Sequence, residues 1–226
     1  MSTSPSAKRP FEIDLALKWV REAVRPLPPA MLGQLYGEGH RSAFEILVAC
    51  LISVRTRDEA SLVMARQLFS RARTPAAMAA LDVNEIDSLI SKAGFHLVKS
   101  EQIQTIARLV VEEHDGELPC SFEVMTSYPG IGPKCANLAL TIACNQPRIS
   151  VDTHVHRITN RWGYVSTRTP EQTLAALEVR LPRQYWADIN ALLVPFGKHI
   201  CTPIGPRCST CPLLDMCPQR GVTSSR

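Results

Sequence analysis

Cys201, Cys208, Cys211 and Cys217 fall within seventeen residues in the pattern C-x6-C-x2-C-x5-C. Thiolates are soft ligands, and four of them clustered in one short stretch point to a metal centre. Tetrahedral zinc and a [4Fe–4S] cube can each take four cysteine thiolates. Zinc ribbons show two C-x2-C knuckles on separate turns, whereas only one is present here. The spacing therefore leans to iron–sulfur and leaves zinc open. Pro203, Pro206, Pro212 and Pro218 stiffen the connections between the ligands. The other four cysteines, Cys50, Cys120, Cys135 and Cys144, lie in or beside helical patterns and read as free, partly buried thiols.

A second kind of chemistry is available at Lys134. The chain holds six lysines against nineteen arginines, and Lys134 is the only lysine between Lys99 and Lys198. Arginine serves phosphate contacts well, so a lysine in an arginine-rich stretch suggests a use for the amine itself. A lysine can lose its proton and act as a nucleophile. Position near a helix N-terminus and partial burial both disfavour the ammonium form. The plainer reading is a surface cation that reaches a phosphate. Lys134 follows the stretch Tyr128–Pro–Gly–Ile–Gly–Pro133, which separates one helical run from another. Gly130 and Gly132 allow positive φ and close approach, and Pro133 suits a first helical turn. The amides of Ile131 and Gly132, with the next helix N-terminus, are expected to face an anion such as phosphate.

Asp152 lies eighteen residues after Lys134, in Val151–Asp–Thr–His–Val–His156. An aspartate before a helical run is commonly an N-cap. It could equally stabilise a developing cation or relay a proton. His154 and His156 stand two apart and make a poor metal pair; each reads as a packing or DNA-contact residue.

The elements that must position these groups are helices. Apolar residues recur at helical spacing, as in Ile13, Leu17, Val20 and Val24, then Phe44, Leu47, Val48 and Leu51. Helices are predicted over Glu59–Phe69, Glu101–Glu113, Pro133–Ala143, Pro170–Leu181 and Tyr185–His199, with starts at Asp58, Asp82 and Ser100. Only Arg148–Val151 reads as extended, too short for a sheet. The expectation is an all-α chain of about ten short helices, with residues 1–10 disordered.

Composition narrows the class. The 226 residues are 45% hydrophobic and 20% charged, enough for a substantial core, with a net charge of +4. Lys134, Arg148, Arg157, Arg161 and Arg168 lie within residues 128–168 against the single acid Asp152, so the surplus sits in that window. A basic face toward a polyanion is the functional reading, and an ordinary solvated face is the bland one. No apolar run approaches the ~18 residues of a membrane span, and the N-terminus lacks the apolar segment of a secretory signal. The protein is expected to be cytoplasmic, and nucleoid-associated if bacterial.

Together, the P-G-I-G-Lys element, the V-D-T-H motif and the terminal cysteine spacing resemble the endonuclease III family of helix-hairpin-helix DNA glycosylases. The resemblance runs from Ser42 to Cys217. It implies a two-lobed all-α fold with DNA between the lobes. A six-helix barrel lobe with the hairpin would occupy residues 36–146. Residues 11–35 and 147–226 would form a discontinuous helical lobe carrying a [4Fe–4S] cluster on Cys201, Cys208, Cys211 and Cys217. By the same resemblance Lys134 is the catalytic lysine, Asp152 the catalytic aspartate, and Gly130 and Gly132 the hairpin glycines. The implied activity is removal of oxidised pyrimidines from double-stranded DNA, followed by strand cleavage at the abasic site, by a monomer.

Related adenine-mispair glycosylases lack this lysine and carry a further C-terminal domain, so the bifunctional class is favoured. The alternatives are a monofunctional glycosylase for another lesion and a catalytically weak DNA-binding or redox-sensing relative. Departures from the family pattern bear on specificity. Arg55 stands where the family often has a Gln that fills the space of the flipped base, and Phe95 where it often has Leu. The loop Thr202–Arg207 holds one basic residue where relatives commonly have two or three.

Overall fold

The computed structural model describes residues 8–226, and among them it contains helices and no strand. Twelve α-helices follow one another among the described residues: α1 Ile13–Val24, α2 Met31–Gly37, α3 Ala43–Ser53, α4 Asp58–Arg71, α5 Pro75–Ala79, α6 Val83–Leu89, α7 His96–His114, α8 Phe122–Ser127, α9 Pro133–Ile142, α10 Thr153–Arg161, α11 Pro170–Arg180 and α12 Asp188–His199. Short 3₁₀ turns at Arg183–Tyr185 and Cys208–Thr210 complete the set. No described helix is long and apolar enough to cross a membrane.

The main departure in helix placement is α7, which begins at His96 rather than after Ser100. Ser100 is fully buried inside the helix and donates to the Leu97 carbonyl, so its hydroxyl is unavailable as a cap. Asp82 does cap α6, through Asn84 N at 2.8 Å. The reciprocal capping box occurs at α3, where Ser42 and Glu45 each serve the other's backbone amide.

The chain divides into two compact units, Pro29–Ser150 and the residues up to Pro28 together with Val151–Arg226. In the first, α3 is the central helix, with Phe44 through Ile52 all buried. A helix apolar on every side must be surrounded, and α2, α4, α7 and α9 pack around it. The boundaries differ from the expected 36 and 146. α2 packs on α3 and α4, so it belongs to this unit rather than to the discontinuous one.

The second unit assembles α1, α10, α11 and α12, with Leu17, Val20, Ile158, Trp162, Leu193 and Phe196 in its core. Of the stretch 1–10 expected to be disordered, residues 1–7 lie outside the described residues. Residues 8–10 are held instead. Arg9 N donates to Asp215 O at 3.1 Å, and Lys8 Nζ donates to the Cys217 carbonyl and to Gln219 Oε1.

Candidate functional site

The hairpin between α8 and α9 is a tight turn closed by Ile131 N donating to Tyr128 O at 3.2 Å. Gly130 takes φ +78°, which favours glycine, and an added Cβ would lie 2.5 Å from Gln102 Oε1 on α7. The left-handed turn is what requires the glycine, since the Gln102 amide is the mobile end of a long side chain and could move aside. Two expectations need correction. Ile131 does not offer its amide to an anion, because that N–H closes the turn, and its side chain is buried in the core. Gly132 does not need positive φ either; it is the N-cap of α9 at φ −104°, and a Cβ there would meet open space.

Pro133 occupies the first turn of α9, as its fixed φ and missing N–H allow, and Lys134 follows it, half-buried. Ser150 holds the Lys134 carbonyl at 3.2 Å.

The ends of this helix-hairpin-helix element are joined. Cys120 and Cys144, expected as free thiols, form a disulfide across a Cα–Cα distance of 5.9 Å. One lies just before α8 and the other just after α9; packing of α8 on α9 brings residues 24 apart in sequence within bridging range. Cys50 and Cys135 take part in no disulfide and are both buried, and the two thiols hydrogen-bond each other.

Asp152 is the N-cap of α10, its Oδ1 accepting from His154 N and Val155 N, each at 2.9 Å. Oδ2 is not used by the cap. One carboxylate can therefore fix the helix start with one oxygen and present the other. His154 reaches Arg157 Nη2 at 3.2 Å, and its Nδ1 would lie 2.4 Å from a Cβ placed on Gly197 of α12. That placement packs the ring against α12, which favours the packing reading over DNA contact. His156 bonds Thr173 at 2.6 Å.

Arg157 and Arg161, counted in the basic window, turn inward to the start of the cysteine loop. Arg157 Nη2 donates to Gly197 O and Cys201 O, each at 3.0 Å. Arg161, buried, donates to Thr202 O and Pro203 O, each at 2.7 Å, and to Cys201 Sγ at 3.5 Å. Their sequence position suggested a face toward a polyanion, but unpaired loop carbonyls claim them first.

Cys201, Cys208, Cys211 and Cys217 line one pocket, shared with the apolar walls of Trp162, Phe196, Ile200 and Leu214. Burial, with the neighbouring sulfurs adding to it, pushes the Cys211 thiol up to about 11 and raises Cys217 as well. Thiols this hard to ionise alone become thiolates when a bound cation offsets their mutual repulsion. Four thiols set against apolar walls are the donor set that zinc or an iron–sulfur group takes.

A third constellation lies on the loops after α3 and before α7. Arg55 (φ 53°) and Phe95 (φ 61°) are both left-handed, a conformation costing roughly 1 kcal/mol or more for each non-glycine residue. The Arg55 guanidinium lies over the Phe95 ring, 5.3 Å from its centroid. A Cβ on Gly94 would sit 2.7 Å from the Arg55 carbonyl oxygen, so only glycine lets the two backbones come this close. Beneath them is Lys99, 4% exposed, whose Nζ donates to Ile52 O at 2.8 Å, Val54 O at 2.6 Å and Thr56 Oγ1 at 3.3 Å.

Sequence reasoning missed Lys99, Gly94 and Thr56. The signal for Lys99 was present: it continues the buried stripe of Ile103, Ile106 and Val110 on α7. A lysine on an apolar face requires partners.

A glycine hairpin between two helices, in an all-helical chain with a capping aspartate and a four-cysteine loop, defines a helix-hairpin-helix protein. Residues 48–183 match the family model described as HhH-GPD superfamily base excision DNA repair protein. The chain is 41% identical over 174 residues to Endonuclease III of Thermotoga maritima, a match covering 77% of this chain and 82% of that one. It is 42% identical over 184 residues to the chloroplastic Endonuclease III homolog 1 of Arabidopsis thaliana, covering 77% of this chain and 48% of that longer one. A solved structure of a trapped endonuclease III–DNA covalent intermediate aligns with a TM-score of 0.81 at 27% identity, covering 92% of this chain and 94% of that one. The chain belongs to the endonuclease III family of the HhH-GPD superfamily.

Proposed function

We propose that this protein is a base-excision DNA glycosylase with abasic-site lyase activity, acting on oxidised pyrimidines in double-stranded DNA. The observation that carries the reading is Lys134 itself, an amine on the first turn of α9 directly after the glycine hairpin. The hairpin, with open space where a Gly132 side chain would stand, receives a phosphate of the damaged strand. A damaged base leaves the stack more readily than an intact one, which lowers the cost of extrusion.

Neutral Lys134 Nζ attacks C1′ of the extruded nucleotide, the glycosidic bond breaks, and the base leaves. Asp152, through the oxygen not used by the α10 cap, stabilises positive charge developing on the sugar. Ring opening leaves a Schiff base between lysine and sugar. Its cationic nitrogen acidifies the C2′ proton. Loss of that proton and cleavage of the C3′–O bond expel the 3′-phosphate, and hydrolysis then returns the amine.

Cys201, Cys208, Cys211 and Cys217 hold a [4Fe–4S] cluster, whose iron–thiolate bonds cross-link the C-terminal loop when it is bound. Lys8, Arg157 and Arg161 fix that loop through its carbonyls. The protein works as a monomer in the cytoplasm, at the nucleoid if its source is bacterial.

Borohydride trapping on a duplex carrying thymine glycol tests the reading. Wild type should yield a covalent adduct and Lys134→Ala none. An adduct from Lys134→Ala, or base release by wild type without nicking, would overturn the lyase assignment.

A further inference from the structure

Excision chemistry gives no reason for a lysine buried beneath the Arg55 and Phe95 loops. The Lys99 ammonium takes the last carbonyls of α3, Ile52 O and Val54 O, which a helix C-terminus leaves without intrahelical partners. Its third contact, Thr56 Oγ1, in turn accepts Gly94 N–H at 3.0 Å. A single chain of bonds thus runs from α7, through Lys99 and Thr56, to the backbone carrying Phe95. The loop carrying Arg55 is fixed from the same point. At the surface above it Phe95 is 62%, Leu97 64% and Val98 50% exposed, apolar groups that nothing among the described residues covers. Two strained left-handed residues stay in place only where the surroundings over-determine them.

We propose that Lys99 is a positioning residue, which locks the Arg55 loop and the Gly94–Phe95 loop into one rigid tip that enters the duplex opposite the lesion. The inference rests on the DNA-repair reading and deepens it by naming what holds the specificity-determining pair. Arg55 supplies donors to the base left unpaired, and Phe95 a face on which a base stacks. Lys99 itself touches no DNA; it acts through Thr56, Arg55 and Phe95. Burial pulls its ammonium down to about 8, the cost of placing a cation under the tip.

The test uses the full-length protein and a duplex with 2-aminopurine facing a tetrahydrofuran abasic analogue, which cannot form a Schiff base. Wild type should change the 2-aminopurine fluorescence as the tip enters the duplex. Lys99→Met should lose at least roughly five-fold of that change at saturation, while affinity stays within about three-fold, because phosphate contacts lie elsewhere. Thr56→Val, a milder variant that removes only the connecting hydroxyl, should move the same way and by less.

An unchanged signal in both variants overturns the proposal. So does loss of signal and affinity in equal measure, which marks a general folding defect, or absence of any change with wild type. Excision of thymine glycol opposite each of the four bases is measured in parallel. No excision by wild type would sink the glycosylase reading alone, since the fluorescence measurement needs no chemistry.

Discussion

Asp152 caps α10 with one oxygen, and the catalytic duty proposed for it can be separated from the cap by substitution. An asparagine in its place would keep an oxygen for the amides of His154 and Val155, since asparagine and aspartate cap equally well. Asp152→Asn is therefore expected to alter stability by less than about 0.5 kcal/mol in a denaturant titration. Excision should fall by roughly 10²-fold or more in single-turnover assays, because the charge proposed to stabilise the sugar is gone. Lys99 gives a second prediction at this scale. Burial lowers its pKa from 10.5 to about 8, against the raising influence of Cys135 and Cys50 and with a small lowering contribution from Lys134. Between about 8 and 10.5 the unfolded chain holds this proton and the folded chain does not, so stability rises with pH across that window. Melting temperatures measured from pH 7.5 upward should show the rise in wild type and a smaller one in Lys99→Met.

At the scale of elements, α3 and α7 carry most of the positioning. α3 starts on a buried acid, Glu45, which accepts from His40, Arg73 and Ser42. Burial alone would raise its pKa, but those bonds outweigh it and hold the carboxyl below its ordinary 4.5. The stability this contributes is present above 4.5 and is lost as pH falls through the lowered value. Glu45→Gln leaves His40 and the half-exposed Arg73 facing a neutral amide and should cost about 1–2 kcal/mol in urea unfolding near neutral pH. α7 supports two constellations at once, pressing Gln102 on Gly130 of the hairpin and sending Lys99 to the end of α3. The α8–hairpin–α9 element is further tied by the Cys120–Cys144 bridge. Reducing it, or substituting Cys120 by Ser, should cost roughly 3 kcal/mol through the freed chain of about two dozen residues.

For the whole molecule, the division into two units sets what metal removal should do. The four cysteines belong to the unit built from α1, α10, α11 and α12, and Lys134 to the unit centred on α3. Oxidative removal of the proposed cluster should raise hydrogen exchange in residues 188–226 and in α10, whose Arg157 and Arg161 hold the cysteine loop. Exchange in α3 and α9 should change little. Equal acceleration in both units would show that the loop supports the whole chain rather than its own unit.

Local pattern was enough for much of this. The helical class, the hairpin position, Lys134 after it, Asp152 before α10 and the cysteine spacing all depend on short-range sequence, because periodicity, caps and turn residues act within a few positions. Tertiary structure alone decided the rest. It paired Cys120 with Cys144, turned Arg157 and Arg161 inward, used the Ile131 amide within its turn, and drew Lys99 beneath Arg55 and Phe95. Each of those outcomes depends on which buried carbonyl, sulfur or backbone lies across the fold from a side chain. A charge count or spacing along the chain does not contain that information, since a buried polar group takes whichever partner packing brings within reach.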